Sequence, residues 1–241
     1  MFGLKNRRNK KKLKVAKMGR RLITISNRKS VISEQFRTIR TNVTFAIPDQ
    51  EVKTILVTSS IPGEGKSTNA ANLGVVFAQE GKRVLIVDAD MRKPTLHYTF
   101  DIFNTIGLST MLARKSVFYD TIQETPITGL FILPSGPIPP NPAELLSSKM
   151  MDAVLEEMKK TYDIIIFDAP PLLSVADGQI LSHKCDGTLL IVNSGVVPKE
   201  AVLKAKATLI TSQANIMGVV LNNYKMSRNR KQYYQYYGAH E

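Results

Sequence analysis

The chain has 241 residues, a formal net charge of +13 and a single cysteine, Cys185. That length suits one α/β domain with a large buried core, and one cysteine excludes an internal disulfide and points to a reducing cytosol. No apolar run approaches the roughly 18 residues of a membrane span, no apolar core follows the basic start as in a signal peptide, and His97, His183 and His240 are too scattered for a metal-ligand cluster.

The positive charge is concentrated at the ends. Residues 1–21 hold ten Lys or Arg and no acid, and residues 225–231 hold four more, again without an acid. The remaining chain is close to neutral. Solvated tails are the simplest reading, with an anionic membrane surface or an acidic partner next. Nucleic acid is disfavoured, because no basic stripe with interleaved aromatics crosses the body. The expected organisation is a basic flexible tail at 1–29, a nucleotide-binding domain at 30–224 and a basic, tyrosine-rich tail at 225–241.

In chain order, Ser33 to Ala46 reads as a helix with Phe36, Ile39 and Val43 on one side, ended by Pro48. Apolar strand-like runs follow at 54–58, 84–87, 130–133, 164–167, 188–192 and 216–221. Helical patterns lie between them at 67–80, about 107–115, 142–160 and 198–212. Asn141 is placed as a cap before Pro142 at the first helical position. Continuous rather than alternating apolar strands, separated by helices, predict a mostly parallel sheet covered on both faces. The Pro-rich stretch from Pro134 to Pro142 reads as a stiff ordered loop.

The strand at 54–58 leads into Ser59-Ser-Ile-Pro-Gly-Glu-Gly-Lys-Ser-Thr68, a phosphate-binding loop in the strand–loop–helix context such a loop needs. Gly63 and Gly65 let successive backbone N–H groups turn inward, and the N-terminus of the following helix adds partial positive charge. Pro62, Gly63, Glu64, Gly65, Lys66, Ser67 and Thr68 are the candidate nucleotide contacts. Lys66 reaches the β- and γ-phosphates, and Ser67 offers its hydroxyl to Mg²⁺.

In an open parallel sheet, ligands sit beyond the carboxyl ends of the strands. Two strands carry acids there: Val84-Leu-Ile-Val87 runs into Asp88-Ala-Asp90-Met-Arg92, and Ile164-Ile-Ile-Phe167 into Asp168-Ala-Pro-Pro171. Carboxylates crowded at one site are costly unless a cation compensates them. Asp88, Asp168 and Ser67 are therefore the candidate metal holders. At the other end of the chain, Tyr233, Tyr234, Tyr236 and Tyr237 fall within five residues that lack aliphatic neighbours. Such a segment is a poor core and a good string of phosphoryl acceptors.

These motifs resemble those of the bacterial tyrosine kinases, of the cytoplasmic type that works with a separate membrane activator in capsule or exopolysaccharide synthesis. The resemblance covers about residues 30–241, and Ser60 matches that family's own form of the loop. It implies a P-loop kinase that uses ATP and Mg²⁺, cytoplasmic and held at the inner face of the membrane by its activator's cytoplasmic tail. Lys66, Asp88 and Asp90 become the catalytic candidates, with Asp88 first as base, and Asn222 a candidate adenine contact. Glu34-Gln-Phe-Arg37-Thr-Ile-Arg40 fits the family's oligomerisation motif. That resemblance implies a homo-oligomeric ring, an octamer, in which each tyrosine tail enters the next subunit's site. The rival is a partition or division-site-positioning ATPase, whose loop usually carries an extra lysine where this chain has Ile61, and which lacks the tyrosine tail.

Overall fold

The computed structural model describes residues 22–47 and 51–225. The basic run at 1–21, the Pro48 helix stop and the tyrosines at 233–237 lie outside the described residues. Seven strands form one sheet: β1 (Thr54–Ser59), β2 (Val84–Asp88), β3 (Gln123–Glu124), β4 (Leu130–Leu133), β5 (Ile164–Asp168), β6 (Gly187–Asn193) and β7 (Ile216–Asn222). Their order is β3-β4-β2-β5-β1-β6-β7. Every pairing is parallel except the short β3 edge against β4.

The continuous apolar runs serve two cores at once. In β2, Val84 and Ile86 enter the core under one sheet face while Leu85 and Val87 enter the other. The same alternation divides Ile164 and Ile166 from Ile165 and Phe167 in β5. A strand buried on both faces has no polar positions left to alternate. Burying each such side chain contributes about 1.5–3 kcal/mol.

On one face lie α1 (Ile23–Ser26), α2 (Val31–Thr44), α3 (Lys66–Gln79) and α4 (Leu96–Phe100). The other is covered by α5 (Leu108–Leu112), α6 (Phe118–Thr121), α7 (Pro142–Ser147), α8 (Lys149–Thr161) and α9 (Asp177–Lys184). Leu209 and Ala205 of α10 (Lys199–Thr211) close a third cluster over Leu190 and Val192 of β6.

Several expectations are corrected. Residues 22–26, inside the span expected as tail at 1–29, pack against the domain. Leu22 is fully buried, and the Thr24 backbone N–H and hydroxyl both donate to Asn72 Oδ1 of α3, at 3.2 and 2.8 Å. The helix expected at 33–46 runs from Val31 to Thr44, because the cap is Ser30, whose hydroxyl accepts the Ser33 N–H at 3.1 Å. The helix expected at 142–160 is two helices. Ser148 is extended (φ −70°, ψ 154°) and its side chain caps α8 by accepting from the Met151 N–H. Asn141 takes the N-cap position of α7 before Pro142 as expected, but its side chain makes no capping bond and donates to the Glu144 carboxylate instead.

Candidate active site

The loop after β1 is bent by two glycines in the left-handed region, Gly63 at φ +84° and Gly65 at φ +89°. Other residues are strained there. Gly65 is also needed for space, since a Cβ on it would collide with the Asn222 side-chain amide. Glu64 turns inward and is almost fully buried. Its carboxylate accepts the Ile61 N–H at 2.7 Å and the Asn193 N–H at the end of β6 at 3.0 Å. Its carbonyl accepts from the Asn222 amide at 2.9 Å. The loop is thus tied across its own base and latched to the ends of β6 and β7.

Pro62, Gly63, Gly65, Lys66, Ser67 and Thr68 line a cleft of about 460 Å³, with Asp90, Arg92, Lys93, Thr95, Pro170, Pro171, Ser174 and Val175 opposite. The side chain of Glu64 belongs to the scaffold of that cleft. Asn222 flanks the loop on its other side, in a second cavity of about 580 Å³ shared with Phe36, Ile39, Val220 and Tyr224.

Beneath the loop, sheet register places Asp88 beside Asp168, at the carboxyl ends of β2 and β5. Both are fully buried. Asp88 Oδ2 accepts the Thr95 and Leu96 N–H groups, each at 3.0 Å. Lys66 Nζ lies 2.8 Å from Asp90 Oδ2 and 3.4 Å from both Asp168 Oδ1 and the Ser67 hydroxyl. Burial, then repulsion from Asp168, pushes the Asp88 carboxyl well above the usual carboxylate range. Burial also raises Asp168, although Lys66 and Ser67 partly offset it. For Lys66, burial opposes the ammonium, but Asp168 and Asp90 outweigh it and raise the pKa.

Two carboxylate oxygens in this cluster, Asp88 Oδ1 and Asp168 Oδ2, are buried without a hydrogen-bond partner. Buried acceptors left so are expensive, more so on charged groups. Three carboxylates with one lysine and two unpaired oxygens beside a serine hydroxyl suit a hard divalent cation, which takes oxygen ligands and keeps several waters. No group of three or more His, Cys, Asp or Glu among the described residues forms a metal cage by itself. Phosphate oxygens and water would have to complete the shell.

Sequence reasoning left Arg92 without a role. Its guanidinium is bidentate on Asp177, through Nε at 2.9 Å and Nη2 at 3.0 Å, and that carboxylate is fully buried at the start of α9. Asp177 raises the Arg92 pKa further. Glu34, Arg37 and Arg40 lie elsewhere on α2. Arg37 pairs with Glu34 and donates to the Arg28 carbonyl; Arg40 reaches Glu80 at 3.4 Å and the Val76 carbonyl at 3.1 Å. Val76 is ten residues along α3 from Lys66, roughly 15 Å. With Arg28, Gln79 and Ile127, the arginines line a third cavity of about 630 Å³.

Comparison with known proteins shows the family and the fold. A family model described as an AAA domain matches residues 52–196. The tyrosine-protein kinase YwqD of Bacillus subtilis (strain 168) is 49% identical over 224 residues, 93% of this chain and 94% of that one. The crystal structure of the chimerical protein CapA2B2 superposes with a TM-score of 0.83 at 45% identity, covering 86% of this chain and 91% of that chain. The cell division ATPase MinD of Pyrococcus furiosus is more distant, with a TM-score of 0.62 at 26% identity over 73% of this chain and 74% of that one.

Proposed function

Because the chain belongs to the bacterial tyrosine kinases of capsule biosynthesis, we propose that it transfers the γ-phosphoryl group of ATP to tyrosines of its own C-terminal cluster. The observation that carries this reading is the cleft lined by the phosphate loop, Lys66 and Asp90, where Lys66 Nζ also reaches Asp168, the buried register partner of Asp88.

In this reading the backbone N–H groups of the loop and the start of α3 hold the triphosphate. Lys66 exchanges its carboxylate partners for β- and γ-phosphate oxygens. Ser67, Asp88 and Asp168 are the residues that would hold Mg²⁺, directly or through water. When bound, Mg²⁺ supplies neutralisation of the charge that develops on the transferring phosphoryl group.

Asp88 takes the phenolic proton. Its Oδ1 has no partner, whereas both Asp90 oxygens are engaged, by Lys66 Nζ and by the Lys93 N–H at 3.0 Å. Asp90 is the second candidate. A free phenol titrates near 10, so the hydroxyl needs such help. The tyrosine oxygen attacks the γ-phosphorus as the bond to the ADP oxygen breaks, in line, and the proton passes to the carboxylate. The rest of catalysis is positioning.

Tyr233, Tyr234, Tyr236 and Tyr237 are the acceptors, presented in trans within a homo-oligomeric ring, octameric by family resemblance, built through Glu34, Arg37 and Arg40. A membrane activator's cytoplasmic tail is the partner that places the kinase at the inner membrane face, where the basic termini add attraction to anionic lipid. Against the ATPase alternative stand Ile61, whose backbone is tied to Glu64, and the tyrosine cluster.

The test incubates pure protein with γ-labelled ATP and Mg²⁺, with and without a candidate activator tail, and maps the label by peptide sequencing. Label should fall on the four tail tyrosines, vanish in Lys66→Met, and largely vanish when all four are Phe while nucleotide binding persists. Unchanged label in the four-Phe chain assigns the acceptor elsewhere.

A further inference from the structure

We propose that Arg92 and Lys93 form a phosphate subsite at the mouth of the cleft, which holds one phosphotyrosine of an acceptor tail while a neighbouring tyrosine of the same tail reacts. This rests on the reading of the C-terminal cluster as acceptor. The charges of the cleft lead to it. Asp90 and Asp168 are met by Lys66, and Asp177 is met by Arg92. Lys93 is exposed, lines the cleft, and has no ion pair among the described residues. Asp90, which also acts on Arg92, lies nearer the reacting centre and engages the Lys93 backbone rather than its ammonium.

Arg92 is pre-organised for a further anion. Its fork is pinned by a buried carboxylate through two donors, yet 41% of its side chain is exposed along the cleft. A guanidinium carries five N–H donors, so three remain. An arginine fixed in this way binds phosphate with little further loss of freedom.

An unmodified tyrosine is neutral and gives this pair of cations little to bind. A phosphotyrosine brings a charge of about −1.5 to −2 with three strong acceptor oxygens. Tyr233 and Tyr236 are three residues apart, as are Tyr234 and Tyr237. Extended chain covers at most about 10 Å in three residues. Arg92 is two residues from Asp90, whose carboxylate touches the catalytic lysine. A tail anchored by its first phosphate therefore brings a second hydroxyl to the reacting centre. Each transfer still consumes one ATP: the new tyrosine O–P bond forms, the bond to the ADP oxygen breaks, and the phenolic proton passes to a carboxylate.

Two synthetic peptides of residues 226–241 separate the possibilities, one unmodified and one phosphorylated on Tyr236. The wild-type protein should phosphorylate the second with a KM lower by about tenfold, the size of one charge-assisted contact. Lys93→Gln and Arg92→Gln should each reduce that preference severalfold, by more than either changes KM for ATP. Lys93→Gln is the cleaner variant, since Arg92→Gln also leaves Asp177 buried without its partner. Equal KM values for the two peptides in the wild type would overturn the subsite. So would a preference that survives both substitutions, or a rise in KM for ATP as large as the loss of preference, which assigns the cations to the nucleotide. If the wild type phosphorylates neither peptide, the acceptor reading fails, and the subsite with it.

Discussion

Asp88 and Asp168 are register partners on adjacent parallel strands, both fully buried, and each leaves one carboxylate oxygen without a hydrogen bond. Two acids in that relation destabilise the fold unless a cation joins them.

Both carboxyls are raised above the ordinary 3.8. The unfolded chain releases these protons first as pH rises, so their contribution to stability falls from about pH 4 upward and levels off above the folded values. Ligand-free Asp88→Asn should therefore be more stable than the wild type at pH 8, by about 1 kcal/mol or about 2–4 °C in Tm. The Asn oxygen can still accept the Thr95 and Leu96 N–H groups. Kinase activity should fall by about a hundredfold or more. Scanning calorimetry at pH 5 and pH 8 measures the difference, which should shrink at the lower pH. A variant less stable at both values would show that the pair is already compensated.

Much of this arrangement was legible in the sequence, and what was not follows a physical pattern. The strands were plain because strands covered on both faces stay apolar throughout. The loop was plain because Gly63, Gly65, Lys66 and Ser67 are contiguous. The Glu64 latch was not, since Asn193 is 129 residues away, nor was the Arg92–Asp177 pair, separated by 85. Short helices such as α1 and α6 contain barely one turn, too few residues for a period. The break at Ser148 was masked because Leu146, Met151 and Val154 carry the apolar stripe across it.

The charged groups proposed to build the ring are partly satisfied within one chain, by Glu34, Glu80 and the Arg28 and Val76 carbonyls. Exposed pairs of this kind contribute at most about 1 kcal/mol to a fold. Replacing Glu34, Arg37 and Arg40 together by Ala should thus lower Tm by only a few degrees while reducing a ring to monomers. Light scattering behind size-exclusion chromatography reads the mass directly. An unchanged assembly would remove α2 from the interface.

Gly65→Ala tests the loop's backbone. At φ +89° the new methyl is strained and meets the Asn222 amide. The left-handed conformation alone costs about 1–2 kcal/mol. The loop should open, and nucleotide affinity measured by calorimetric titration should fall at least tenfold. Gly81, also at positive φ but with open space around its Cβ position, supplies the control. Gly81→Ala should lose only what the backbone strain costs, about 1–2 kcal/mol, and keep its nucleotide affinity.

Glu64 separates holding the loop from touching the nucleotide. Its carboxylate is buried, and it accepts N–H groups from both Ile61 and Asn193. Glu64→Ala leaves both donors unpaired, at about 1–3 kcal/mol each if they stay buried. Glu64→Gln keeps an acceptor oxygen but turns the other into a donor, so it can satisfy one of the two N–H groups and must face the second with an amide nitrogen. The Ala variant should lose the more stability and raise KM for ATP about tenfold or more, with the Gln variant intermediate. Because the carboxylate acts through the loop backbone, kcat at saturating ATP should fall much less than KM rises. If kcat falls alone, Glu64 acts on the chemistry itself and the latch is not its main role.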